Sequence, residues 1–458
     1  MSKGRAGLSS LGRRRFLQAL AGTAGAVTLW QGADVESAEE YTGRFLVTLQ
    51  LDGAWDATSF CDPKMNVPGE LEINHWARTG EIQTAGNLRY APFGKNATLF
   101  QRHYRDMLVI NGVDSQTNSH TTGVTFNWSG RIDEGYPSLP ALFSRIRAPA
   151  MPLSYITNGG FADTAGVTRF VRMTGAEGLR GILRPNEIWW TGRENHAFLD
   201  PADFKAINEA QQRKLAGRKL DALRLPRDRR QMQGQYEAMI SSPLLQRYAE
   251  ALPSDAEVAP RLPGKYDAAN IRQQTQLAVI AFAAGVAVAA DLWTPGFDTH
   301  DRHDMLHTGA LDVAIEGLLY LWEYAEARGI ADRLTVLVGS DFGRTPYYNS
   351  GDGKDHWAIG STIVMQRDAP WANRVVGLTD GGHNAFRINP RTLQRDDAAG
   401  ILIHPRHIHH AMRNLLGIAA HPLTQKYPFG GVETIDFFNP AIRTSSTDDE
   451  QRNSIRVA

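Results

Sequence analysis

The 458-residue chain is 42% hydrophobic and 21% charged, a balance that suits a packed core and excludes a disordered polypeptide. Lys plus Arg and Asp plus Glu number 49 each, so no basic excess marks nucleic acid or an anionic membrane surface as a partner. Cys61 is the one cysteine, which excludes intramolecular disulfides and cysteine-built zinc sites.

In chain order, the first element is RRRFLQALAGTAGAVTLW, Arg13 to Trp30, in which no charge follows Arg15. An uncharged run of that length covers about 22 Å as a helix, short of the ~30 Å hydrocarbon core, so it predicts an export signal rather than a spanning helix. Arg13-Arg14-x-Phe16-Leu17 resembles the twin-arginine signal, with Gln18 where lysine is usual. Residues 1–38 are therefore expected to be removed, with Ala33 or Ala38 as candidate last residues. The twin-arginine export machinery is then a partner, the location is periplasmic or extracellular, and no transmembrane anchor remains after signal removal.

Arg44 to Leu51 is short, apolar and bounded by Gly43 and Asp52-Gly53, as a buried strand should be. Met107 to Val113, Ser154 to Thr157, Val286 to Thr294, Leu334 to Ser340 and Ser361 to Gln366 predict further strands. Helical spacing predicts helices over Pro137 to Ile146, Ala268 to Ala284, His303 to Arg328 and Pro405 to Leu416. Pro201 to Leu252 is rich in Arg, Gln and Glu and predicts a helical insert, while Thr444 to Ala458 is a polar tail. Alternation of strands and helices predicts an α/β fold with a mostly parallel central sheet and helices on both faces. Residues 42–443 are expected to form that domain.

In such folds, functional groups collect beyond the C-terminal ends of the strands. Asp52 and Asp56 follow the first strand, and Ser119, His120 and Thr121 come a few residues after the second. Asp298, His300 and His303 follow the Val286 strand, and Asp341, Arg344, Asp355 and His356 follow the Leu334 strand. Four strand ends thus carry carboxylate, imidazole or hydroxyl toward one rim. Carboxylate and imidazole without thiolate suit a divalent metal, with Zn or Mn favoured over Mg or Ca, as one ion or as a pair. Each piece also has a structural reading. Asp301 or Asp304 fits the N-cap of the long helix, and HPRHIHH, His404 to His410, fits the opening of the last helix.

The order GAWDATSFCDP, SH, SG, FDTHDRH, SDFGRTPYYN and GKDHW resembles the family designated domain of unknown function 1501, itself similar to the alkaline phosphatase and sulfatase superfamily. The resemblance implies an alkaline-phosphatase-like three-layer sandwich. It implies metal ligands at Asp52, with Asp56 as its rival, at Asp298 with His300 or His303, and at Asp341 and His356. It implies Ser119 as nucleophile, with Thr121 behind it. Phe342 stands where the phosphatases carry a metal-binding histidine, which leaves one metal, a substitute ligand such as His120 or Asp56, or a site that is not catalytic. No Cys-x-Pro-x-Arg is present, so a sulfatase-type formylglycine is excluded. The expected activity is metal-dependent hydrolysis of phosphate, phosphonate or sulfate esters, on a small anionic ester or a surface polymer. Arg344 would hold an anionic oxygen bidentately. The rivals are a secreted binding or assembly protein with a structural metal, and a hydrolase of other bonds that uses metal-bound hydroxide.

Overall fold

The computed structural model describes residues 41–442, apart from 174, 184–185, 187–196, 217–224, 226–241 and 264–265. The proposed signal, the tail from Thr444 and part of the helical insert lie outside the described residues.

The apolar runs form the sheet. Its strands are β1 (Phe45–Asp52), β4 (Met107–Asp114), β5 (Tyr155–Thr157), β6 (Val171–Arg172), β7 (Ala289–Pro295), β8 (Leu334–Ser340), β11 (Ile359–Met365) and β12 (Arg374–Val376). Two small hairpins supply the other strands in chain order, β2 (Gln83–Ala85) with β3 (Leu88–Tyr90) and β9 (Gly343–Arg344) with β10 (His356–Trp357). The large sheet runs β12-β4-β11-β8-β1-β7-β5-β6. Only β11 is antiparallel to its neighbours, β4 and β8. Every residue of β8 is buried, as is β1 up to Leu51. Burial of successive residues, whose side chains alternate between faces, requires cover on both sides.

Described helices in chain order are α1 (Asn96–His103), α2 (His120–Ser129), α3 (Leu139–Arg147), α4 (Ala176–Leu183), α5 (Pro201–Ala216), α6 (Ser242–Ala251), α7 (Ile271–Ala283), α8 (His303–Ala327) and α9 (Pro405–Leu415). Helices α7 and α8 pack on each other and on β7, while α2 meets β8 and carries α9. The molecule is therefore an α/β protein with a mostly parallel central sheet flanked by helices. Among the described residues no helix is long and apolar enough to cross a membrane.

Strand β7 starts at Ala289, three residues later than its apolar run. Val286 and Val288 instead exchange single backbone bonds with Leu153 and Ser154. The direction of β11 matters for the site. An antiparallel strand begins on the rim where parallel strands end, so the chain just before Ile359 returns to the rim beside Asp341.

Candidate functional site

Ser119 is the N-cap of α2, with extended φ and ψ, and its hydroxyl makes no capping bond. Its helix docks closely: a Cβ on Gly123 would stand 2.6 Å from the Asp341 carbonyl oxygen and 2.7 Å from Phe342 Cδ1. Asn127 secures the contact by donating Nδ2–H to the same Asp341 carbonyl at 2.5 Å. The turn after β1 is as tight. Gly53 has φ +111°, and a Cβ there would lie 2.4 Å from the Asp298 nitrogen. Only glycine allows both that conformation and that approach.

Three histidines converge on Asp298, each oriented through Nδ1. His120 Nδ1–H donates to Asp341 Oδ2 at 2.6 Å. His300 Nδ1–H donates to Asp355 Oδ1 at 2.7 Å, and Asn349 donates to the same oxygen at 3.1 Å. His356 Nδ1–H donates to the Asn118 carbonyl at 2.7 Å. The acceptors fix the tautomers and leave each Nε2 as the inward atom. Asp298 Oδ1 lies 3.0 Å from His300 Nε2, 3.3 Å from His356 Nε2 and 3.5 Å from His120 Nε2. His300 Nε2 and His356 Nε2 are 3.0 Å apart, where two nitrogen lone pairs need a proton or a metal cation between them. His120 Nε2 is buried and has no hydrogen-bond partner. Ligand atoms of His120, Asp298 and His356 all lie within 4.8 Å of one another.

Charge is arranged accordingly. Burial works against ionisation of Asp298, but the Arg344 guanidinium overrides it and holds the carboxyl down at about 2. The Asp341 hydrogen bond raises the His120 pKa. Burial, with the Asp341 charge, raises Asp52. The His300 hydrogen bond lowers Asp355.

The structure gives the remaining sequence candidates other places: Arg344 and Asp355 support the cluster from behind, and Asp56 and His303 lie apart from it. Arg344 is fully buried and gives no contact surface to a substrate. It donates to the carbonyls of Ala54 at 2.9 Å, Lys354 at 3.0 Å and Gly53, and to Asp298 Oδ1 at 2.5 Å. Its fork is spent on tying two loops, the turn after β1 and the β9–β10 loop, to Asp298. Asp56 and His303 lie in a separate buried network. Asp56 accepts from Lys354 Nζ at 2.7 Å, His303 Nε2 at 3.1 Å, Thr58 and Ser59. Both His303 nitrogens are occupied, Nδ1 by the Thr299 hydroxyl at 2.7 Å. Burial lowers the His303 pKa. Burial opposes ionisation of Asp56, but Lys354 holds its pKa well below the usual range. Thr121 is exposed on the first turn of α2, Asp52 sits half-buried beside Asp341, and Asp355 stands behind His300.

Several contributors have no sequence signal. The Asn118 carbonyl works through its backbone, and Lys354, next to Asp355, passes for a solvated loop lysine although it is buried. The register His356↔Arg344 in the β9–β10 hairpin explains the assembly, because it sets the last histidine beside the arginine that holds Asp298.

The sequence model of the family described as "Protein of unknown function (DUF1501)" matches residues 204–429, which include Asp298, His300, Asp341 and His356. Among solved structures, the chain is similar to Ps i-CgsB in complex with k-i-k-neocarrahexaose, at 9% identity and TM-score 0.39, covering 86% of this chain and 75% of that one. It is similar to the lipoteichoic acid synthase LtaP from Listeria monocytogenes, at 11% identity and TM-score 0.36, covering 93% and 81%. It is also similar to alkaline phosphatase from the Antarctic bacterium TAB5, at 10% identity and TM-score 0.32, covering 73% and 95%. No curated protein matches the chain.

Proposed function

We propose that this chain, whose residues 204–429 match the sequence model of the DUF1501 family, is an exported, metal-dependent hydrolase of phosphate, phosphonate or sulfate esters. The observation that carries the reading is the convergence of three tautomer-fixed histidine Nε2 atoms on the Asp298 carboxylate. This donor set suits Zn or Mn better than Mg or Ca, which favour oxygen ligands. Asp298, His300 and His356 would hold the ion. A divalent ion bound there supplies positive charge that eases ionisation of a nearby hydroxyl and steadies a developing oxyanion.

Ser119 is the nucleophile in this reading. It lies between Asn118, whose carbonyl orients His356, and His120, which faces Asp298. Its hydroxyl is exposed, and the unpaired N–H groups of the first turn of α2 favour negative charge at that position. Arg344 orients Asp298 instead of holding the transferred group, so the helix start and the ion carry that task. Asp298 and His300 keep about half of their side-chain surface exposed, at 50% and 46%, so the site admits a small anionic ester or an ester on a surface polymer.

The test is Ser119→Ala in protein purified without chelators. Hydrolysis of an aryl phosphate or aryl sulfate should fall at least about 1000-fold while bound metal is unchanged. Retained turnover would sink the serine role and favour a hydrolase that uses water as nucleophile. A second reading, a binding or assembly protein with a structural metal, is favoured by Arg344, whose guanidinium is spent on backbone carbonyls and Asp298 and is not free to hold an anion. It expects no ester hydrolysis by the wild type and a fall in Tm on chelation.

A further inference from the structure

Resting on the metal-dependent reading above, the geometry points to a single four-ligand centre made of Asp298, His120, His300 and His356, with Asp341 and Asp355 orienting ligands instead of binding the ion. The family resemblance implies something different, a site in which Asp341 is itself a ligand and the position after it supplies a histidine.

His120 decides the matter. Its Nδ1–H is committed to Asp341 Oδ2, so Asp341 faces a ring N–H and not a lone pair. The other ring nitrogen is buried, without a partner, and 3.5 Å from Asp298 Oδ1. A carboxylate hydrogen-bonded to the far nitrogen of a metal-binding histidine is a recurrent second layer, and it makes the imidazole a better ligand. Asp355 stands in the same relation to His300. Phe342 cannot supply a ligand, and its ring packs 4.9 Å from both the His120 and His356 rings, forming an apolar wall behind them.

The spacing agrees. Ligands about 2.0–2.1 Å from a tetrahedral zinc ion sit about 3.3–3.4 Å from one another. The separations from Asp298 Oδ1 to the three histidine nitrogens are 3.0, 3.3 and 3.5 Å, and His300 to His356 is 3.0 Å. A second position beside Asp52 and Asp341 would lack a nitrogen ligand, since His120 presents its N–H on that side. His120 directly follows Ser119, so an ion held by His120 fixes the start of α2 and the serine with it. Four protein ligands fill a tetrahedral shell, so a serine or ester oxygen would bind as a fifth ligand, an expansion that zinc allows.

The experiment titrates the metal-free mature chain with Zn²⁺ and with Co²⁺, comparing wild type, His120→Ala and Asp341→Asn. Wild type should take up one ion per chain and show the intense visible bands of four-coordinate Co²⁺. His120→Ala, with unchanged circular dichroism when metal-free, should lose those bands. Asp341→Asn should keep one site and bind Zn²⁺ about 10–100-fold more weakly. Two ions per wild-type chain, an unchanged Co²⁺ spectrum in His120→Ala, or a lost equivalent in Asp341→Asn would each overturn the four-ligand centre while leaving metal dependence intact. A wild-type chain that binds neither ion overturns the metal-dependent reading itself, and this centre with it.

Discussion

Arg344 shows how one side chain can be essential to a site it does not enter. Its guanidinium is completely buried, and its N–H groups satisfy the carbonyls of Gly53, Ala54 and Lys354 as well as Asp298. Each carbonyl left without a donor in a buried place costs about 1–3 kcal/mol. Arg344→Met should therefore lower stability by at least about 3 kcal/mol, read as a reduced urea midpoint at constant slope. Arg344→Lys should recover little of that loss, because a single ammonium cannot address acceptors in three directions. The same substitutions release Asp298. Its folded pKa is about 2, below the ordinary carboxylate value, so its contribution is present above that ordinary value and lost as pH falls toward 2. The carboxyl is half exposed, so solvent trims the effect, and backbone satisfaction dominates. An unaltered midpoint in Arg344→Met would mean that the loops hold themselves.

At the scale of elements, the question is what keeps the β7–α8 loop and the β9–β10 hairpin in register with each other. Asp56 holds one end of each, through His303 Nε2 at 3.1 Å and Lys354 Nζ at 2.7 Å. Both partners of the Asp56–Lys354 pair are fully buried. Breaking a buried pair leaves an uncompensated charge and costs roughly 3–5 kcal/mol, whereas removing both charges costs far less. Asp56→Asn and Lys354→Met should each be strongly destabilising, and the double variant should be well short of their sum in a double-mutant cycle. Additive effects would show that the two residues act separately. This network also marks the limit of what the sequence discloses. Long apolar runs made β1, β4 and β8 legible, and the clustering of acids and histidines after strands made Asp298, His300 and His356 legible. Strands β6 and β12 have two and three residues, too few to show a period. Asp56 and His303 resembled ligands because a buried counter-ion and a metal ligand use the same side chains. Their true direction is set by Lys354, 298 positions away from Asp56.

At the scale of the whole molecule, the sheet that builds the rim also buries an acid in its middle. Asp291 lies on β7, paired in register with Thr48 of β1 and Thr157 of β5. Its carboxylate accepts from Thr48 Oγ1 at 2.5 Å and from the Tyr155 hydroxyl, which is 3.3 Å from Ser138 Oγ at the start of α3. Three strands and a helix cap are joined through this one side chain. Nothing in an apolar run such as VAVAADLWT distinguishes this acid from a strand-end turn residue. Burial outweighs the hydrogen bonds and pushes its pKa up to about 7. The folded protein therefore keeps a proton that the unfolded chain releases near its ordinary carboxylate value. Between that value and about 7 the native state binds more protons, so this group's contribution to stability declines as pH rises and levels off above about 7. A tenfold change in proton affinity is worth about 1.4 kcal/mol, so the decline is on the order of a few kcal/mol. Asp291→Asn removes the titration, and Tyr155 can turn its hydroxyl toward Ser138 while accepting from the new amide. The stability lost between about pH 5 and about pH 8 in urea unfolding should be larger in wild type than in Asp291→Asn. Other groups, including the buried histidines His303 and His307, titrate alike in both chains and cancel from the difference. Equal slopes would show that Asp291 is already ionised in the folded sheet at about pH 5, and that its three hydroxyl-linked elements are held by a carboxylate and not by an acid.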